Sequence, residues 1–352
     1  MNDYLVGIYY FSGWWRSCPN KYNLYGEDWR TNYPERIALL GEYNEQATMN
    51  REIAAAASHG VDFFHILWYY LPSNQKSKAG DHNLNNGIEQ FMASPNNHMM
   101  KFTIEFTNHP PFEITSDEEW GAVCREWCEI MKHSRYLQVD DRPVFKIHSV
   151  YFFHQQNGND NKRVAARLAT FRKIAKKSGL PNPLISGGVA ACAVTSGESA
   201  APYDFLTTYM EMPDLPQKEE LYSYEDLIKY AEDGWKRYAK DSDKPYVPYV
   251  PAGWDPRPWK DPRPSFATPT GEEWTSALKR VKSTLDNSSN LGILTRDGIQ
   301  KAILIYAWNE FGEGGIVAPT KGDGEMKLEA IRSVFFQHQN AENSRGEVKC
   351  VV

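Results

Sequence analysis

Eight short apolar stretches recur along the 352 residues, and amphipathic segments fall between most of them. They read LVGIYYF (5–11), VDFFHILWYY (61–70), KFTIEF (101–106), PVFKIHS (143–149), PLISGGV (183–189), DFLTTYM (204–210), YVPYVPAGW (246–254) and AILIYAW (302–308). Runs of this length, rich in β-branched and aromatic residues and bounded by Gly, Pro and Asn, read as buried strands. Helical spacing fills the gaps. Residues 45–59 end at Gly60, and 117–133 open on Ser116 with Glu119 and gather Trp120, Val123, Cys124, Trp127 and Met131 on one face. Residues 161–178 carry Val164, Leu168, Phe171 and Ala175, and 271–286 open on Thr270 with Glu273 before Trp274, Leu278, Val281 and Leu285. Strand–helix alternation repeated eight times predicts an α/β fold, a single (β/α)8 TIM barrel spanning 1–352. A doubly wound sheet is the runner-up, weakened because no glycine-rich phosphate loop follows an early strand.

Composition removes several function classes. A formal charge of −6 without a cluster of Lys and Arg argues against nucleic acid as a partner. No apolar stretch reaches transmembrane length, and the N-terminus lacks the basic and apolar regions of a signal peptide. A soluble chain without membrane insertion is therefore expected, with export through a signal absent from this stretch left open. The five cysteines, at 18, 124, 128, 192 and 350, show no metal-ligand spacing, and Cys124 and Cys128 read as small core residues. His59, His65, His109 and His148 are scattered and form neither HxH nor HExxH. No metal site or cofactor is expected, and no serine sits in a nucleophile elbow.

A barrel of this kind places its active site at the C-terminal ends of the strands. The residues at those exits are Tyr10, Trp14 and Trp15; Trp68 and Tyr69; Glu105, Asn108 and His109; His148; Tyr209; Trp254, Asp255 and Arg257; and Asn309, Glu310 and Glu313. Aromatic rings stack on the C–H faces of sugars, planar polar groups bond their hydroxyls, and a pair of carboxyls can cleave a glycosidic bond. Glu310 and Glu313, in WNEFGEGG after the last strand, are the candidate catalytic pair. Glu105 lies inside an apolar strand, where a carboxylate needs either a role or a buried cationic partner.

WNEFGEGG resembles the NEW-x-E-G motif of glycoside hydrolase family 99 and its WbsX-like relatives. VGIYYFSGWW resembles the family's opening strand, and YPERIALLGEYN the PER-x-PLLG-x-Y segment that follows it. HGVDFFHILWYY and PAGWDPRPW fit in the same order, so the likeness spans nearly the whole chain. It implies a (β/α)8 barrel and, in the hydrolase members, endo-acting cleavage of α-mannosidic linkages with retention through a 1,2-anhydro sugar. By position Glu310 corresponds to the residue at the sugar's 2-hydroxyl, Glu313 to the acid/base and Asn309 to a residue orienting the sugar. Glu105 corresponds to a substrate-contacting acid, Tyr209 to a tyrosine of the sixth strand and Arg257 to the arginine of the RPW segment. On that scheme Glu313 is protonated, and Glu310 is ionised with Arg257 or a backbone N–H holding it so. Phe311 stands where the family has Trp, and Gly312 where true family 99 members have His. Both look like the WbsX-like branch, labelled glycosyltransferase through association with surface-polysaccharide genes. Arg257 follows Asp255 more closely than usual, which leaves Arg263 as an alternative.

The expected function is glycosidic-bond cleavage in a polysaccharide or glycan, α-mannoside-like linkages being the implied class. The alternatives are a WbsX-like glycosyltransferase using the same acids and a non-catalytic carbohydrate-binding barrel.

Overall fold

A computed structural model of the protein describes residues 3–16, 20–71, 83–189 and 197–336. Eight strands form a (β/α)8 barrel: β1 Tyr4–Tyr10, β2 Phe63–Trp68, β3 Lys101–Phe106, β4 Arg142–Ile147, β5 Leu184–Gly188, β6 Phe205–Thr207, β7 Tyr246–Val247 continuing as Tyr249–Pro251, and β8 Gly298–Tyr306. Each pairs in parallel with the next, and β8 closes the ring by pairing with both β1 and β7. Pro248 has no N–H to donate and divides β7, while its carbonyl still accepts from Leu304 N at 2.9 Å.

The helices run α1 Gln46–Ser58, α2 Asn86–Ala93, α3 Asp117–Met131, α4 Val150–Gln156, α5 Asn161–Lys177, α6 Gly197–Ala200, α7 Tyr224–Asp241, α8 Gly271–Asp286 and α9 Met326–Ile331. The Ser116 hydroxyl caps Glu119 N at the start of α3, and reciprocal Ser223–Asp226 and Thr270–Glu273 boxes start α7 and α8. On α3, Trp127 meets the rings of Trp68, Phe106, Trp120, Phe145 and Phe171 with centroids 4.6 to 5.5 Å apart. Cys124 and Cys128 are buried free thiols on that helix; Cys18, Cys192 and Cys350 lie outside the described residues.

The two-residue period of a strand decides which side chains reach the barrel interior. On β2, Phe64 packs outward on Phe91 of α2 and Trp68 outward on Trp127, whereas His65 points inward beside Tyr9, its partner on the neighbouring strand β1. On β1, Tyr9 points inward and Tyr10 outward, where its hydroxyl donates to the Glu52 carboxyl of α1 at 2.8 Å. No helix among the described residues is long and apolar enough to cross a membrane.

Candidate active site

Beyond β8 the chain turns through a short hairpin in which Asn309–Glu310 pairs antiparallel with Gly315–Ile316. Glu310 O accepts from Glu313 N at 3.0 Å and from Gly314 N at 2.8 Å, and Gly314 has φ +82°. The tight turn brings both carboxyls to one cavity of about 760 Å³, above the barrel's C-terminal end. The other glycines make room for rings. A Cβ on Gly312 would lie 2.1 Å from the Trp259 ring, and one on Gly315 would lie 2.3 Å from the Tyr306 ring. Trp259 thus occupies the place where a side chain at 312 would stand.

Each carboxyl receives a tyrosine hydroxyl. Tyr209 OH donates to Glu310 Oε1 at 2.5 Å, and Tyr306 OH makes a short hydrogen bond to Glu313 Oε2. The Arg263 guanidinium, stacked 4.5 Å over the Trp254 ring, lies 3.9 Å from Glu313 Oε1. Burial raises both carboxyls above the usual range; for Glu310 the second cause is its neighbour Glu313, and the Tyr209 bond only partly opposes them. Glu313 has the better counter-charge, with Tyr306 and Arg263 both favouring its ionised form. The two carboxyls share one desolvated site, and their mutual repulsion favours keeping a proton between them. Arg257, expected to hold Glu310 ionised, instead closes a bidentate pair on Asp255, with Nε to Oδ1 at 2.7 Å and Nη2 to Oδ2 at 2.8 Å.

Of the residues singled out in the sequence, Glu310, Glu313, Trp15, Tyr69, His109, His148, Tyr209, Trp254 and Arg263 line the cavity. The others are placed elsewhere, each for a visible reason. Tyr10 and Trp68 point into the helix layer, one residue out of phase with inward neighbours. Trp14 is fully buried and donates Nε1 to Asn309 O at 2.7 Å. The Asn309 amide is spent on backbone: Oδ1 accepts from Phe11 N at 2.8 Å, and Nδ2 donates to Phe11 O at 2.7 Å. Asn108 does the same for Ser149, with both bonds at 2.9 Å, and Asn85 for Tyr69 at 2.8 and 2.9 Å. Three asparagines thus extend the ladder past the strand ends and fix Phe11, Tyr69 and Ser149, all of which line the cavity. Asp255 is clamped by Arg257 and by Arg36, which also donates to the Asp255 carbonyl at 2.9 Å and the Phe311 carbonyl at 3.1 Å.

Glu105 lies beneath the cavity floor, fully buried. Its carboxyl accepts from Lys146 Nζ at 3.0 Å and shares a short hydrogen bond with His148 Nδ1; His65 Nε2 stands 3.3 Å away. Burial alone would raise this carboxyl, but Lys146 and His148 outweigh it and lower it to about 2. Glu105 is an internal ion-pair partner that orients His148 at the cavity wall, rather than an acid presented to a ligand. Burial in turn lowers Lys146, whose ammonium also donates to Tyr9 OH at 2.8 Å.

Lys21, Phe11, Trp15 and Trp259 line the cavity, but the sequence reading gave Trp259 and Lys21 no role. Lys21 Nζ lies 5.8 Å from the Phe11 ring and 5.4 Å from the Trp259 ring. Tyr306 was counted only as a strand residue, although the period of β8 directs it inward beside Tyr209, 5.0 Å between centroids. Arg36 lies in the YPERIALLGEYN segment, where the sequence reading assigned it no role of its own. Among the described residues, no group of three or more His, Cys, Asp or Glu is placed to hold a metal ion.

The family described as glycosyltransferase WbsX matches residues 11–331. No curated protein matches the chain. Among solved structures, a "glycoside hydrolase-like protein" superposes with a TM-score of 0.63 at 14% identity, over 95% of this chain and 94% of that one. The endo-alpha-mannosidase of glycoside hydrolase family 99 from Bacteroides thetaiotaomicron superposes with a TM-score of 0.56 at 14% identity, over 98% of this chain and all 100% of the other. At that identity the likeness bears on the fold alone.

Proposed function

We propose that this chain, which belongs to the WbsX family, cleaves glycosidic bonds in a polysaccharide or glycan, with Glu310 and Glu313 as the reacting pair. The observation that carries this reading is the pair itself: two carboxyls at one cavity wall, each bonded by a tyrosine hydroxyl and both buried beside one another. Cleavage needs one acid for the departing oxygen and one base, and mutual repulsion in a desolvated site supplies both from two identical side chains. Phe11, Tyr69, Trp254 and Trp259 offer faces for a sugar, while His109, His148 and Lys21 offer polar contacts.

α-Mannoside-like linkages, endo action and retention through a 1,2-anhydro sugar are the finer reading, supported by the WNEFGEGG motif. On that route Glu310 takes the proton of the sugar's 2-hydroxyl, whose oxygen attacks the anomeric carbon as the glycosidic bond breaks. Glu313 protonates the leaving oxygen and then activates the water that opens the three-membered ring. The converse assignment makes Glu310 the acid and Glu313 the base.

The family's description favours a second reading, transfer of the sugar to a hydroxyl acceptor instead of water by the same pair. The test is product chromatography after incubation with a panel of α-linked oligosaccharides and polysaccharides, with and without added acceptor sugars. Glu310→Gln and Glu313→Gln are run alongside. Cleavage lost in both variants supports the proposal, elongated products point to transfer, and cleavage surviving both substitutions removes the pair from the chemistry.

A further inference from the structure

A second depression of about 470 Å³ lies beside the cavity, and residues of one 3-10 turn, Arg257–Trp259, border both. Trp259 faces the cavity, whereas Arg257, Pro258 and the following Lys260 face the groove. The partition is one residue thick on its other side as well. Lys21 lines the cavity, and its carbonyl accepts from Trp259 Nε1 at 3.3 Å and from Trp29 Nε1 of the groove at 2.9 Å.

The groove has the make-up of a sugar site. Tyr25 is 56% exposed and Leu24 47% exposed, so both present apolar surface in the groove. Gly26, at φ +99°, makes the turn that presents Tyr25. Across the groove, Lys260 takes a left-handed backbone conformation at φ +53°, and its ammonium stands 5.0 Å from the Tyr25 ring. A non-glycine residue in that region is worth a functional question. Glu27, Asn32 and the exposed part of Arg257 complete a polar rim around the aromatic floor. An open ring beside planar and charged hydrogen-bonding groups suits a pyranose better than it suits a protein, which would need a larger apolar face.

We infer that this groove binds further sugar residues of the same glycan chain whose scissile bond lies at Glu310 and Glu313, so that the substrate is a polymer longer than the cavity. The inference rests on the glycosidase reading of the cavity. The glycan crosses the wall made by Trp259 and Lys21, and one sugar packs against Tyr25 with Lys260 and Asn32 at its hydroxyls.

The test uses the Glu310→Gln chain, which binds without turning over, and calorimetric titration with α-linked mannobiose and mannohexaose. The hexasaccharide is expected to bind more tightly than the disaccharide. Adding Tyr25→Ala should weaken hexasaccharide binding about three- to tenfold, the range of one aromatic stacking contact, and so lower the ratio between the two ligands. Because Tyr25 is largely exposed, an unchanged melting temperature will show that the fold is intact. Equal affinity for both ligands, or a ratio untouched by Tyr25→Ala, would overturn the groove and leave the cavity reading standing. Failure of both ligands to bind removes the mannoside reading, and this inference with it.

Discussion

The Tyr209 hydroxyl stands 2.5 Å from Glu310 Oε1 and is the donor that offsets part of the burial of that carboxyl. Replacing it with phenylalanine keeps the ring that packs 4.9 Å from His148 and removes only the hydrogen bond. A bond to an ionised group contributes about 1.5–3 kcal/mol, so Tyr209→Phe should lower kcat/KM roughly 10- to 100-fold. The sign of the pH effect follows from the same bond. Losing a donor to the ionised form raises the Glu310 pKa further, so the limbs of the pH–rate profile that report the pair should move upward. A profile that falls in height without moving would place Tyr209 in substrate contact rather than in tuning the pair.

The division of roles between Glu310 and Glu313 is open to a leaving-group experiment. A departing nitrophenolate needs no protonation, so the variant that lacks the general acid should keep much of its first-step rate on a nitrophenyl glycoside. The variant that lacks the base should lose activity on every substrate, by about 10²- to 10⁴-fold. On the 1,2-anhydro route Glu313 is the acid, so Glu313→Gln is expected to be the rescued variant. Rescue of Glu310→Gln instead would give the converse assignment, with Glu310 as acid and Glu313 as base.

Gly312 is held to glycine by the Trp259 ring, which a Cβ would approach to 2.1 Å. Gly312→Ala must push aside a ring that is stacked 6.1 Å from Trp14 and forms part of the cavity wall. Overpacking of this kind costs about 1–3 kcal/mol. A melting temperature lowered by a few degrees, together with weaker substrate binding, is the expected result. A neutral Gly312→Ala would show that Trp259 swings freely and does not shape the site.

The barrel was legible because its evidence is repeated eight times, and an error in one element leaves the alternation intact. The strand from Gly298 was read as starting at 302, since Gln300 and Lys301 look like loop residues until their pairing with Ile293 and Tyr4 is seen. The helix Tyr224–Asp241 was passed over, although Ser223 and Asp226 cap it and Leu227, Ile228, Ala231, Trp235 and Tyr238 share its buried face. Site residues were harder for a specific reason. In "IYYF" and "LWYY" adjacent aromatics are chemically equivalent, and only the strand's phase decides that Tyr9 and Tyr69 face the interior while Tyr10 and Trp68 do not. Asn108 and Asn309 look like sugar ligands in sequence, yet each amide matches a peptide group and pairs with one. Arg36 pairs with Asp255, 219 residues away, a contact that no local pattern encodes.

Glu52 on α1 supplies a stability prediction independent of any substrate. It is fully buried against β1 and the exit of β8, accepting from Tyr10 OH and Trp308 Nε1, both at 2.8 Å. Burial raises its carboxyl to about 7, against the opposing effect of hydrogen bonds from Tyr43, Trp308 and Tyr10. The folded chain therefore holds this proton at a pH where the unfolded chain has released it. Stability from this group is complete below the unfolded value near 4.5, declines as pH rises, and is gone once pH passes about 7. The span corresponds to roughly 3 kcal/mol, at 1.36 kcal/mol per pH unit. Glu52→Gln is neutral at every pH and can still accept from Trp308 while donating to Tyr10. Urea denaturation at pH 5 and pH 8 should find the variant close to wild type at pH 5 and more stable than wild type at pH 8. An equal effect at both values would mean that Glu52 stays ionised in the fold, stabilised by a charge other than the three hydrogen bonds seen here.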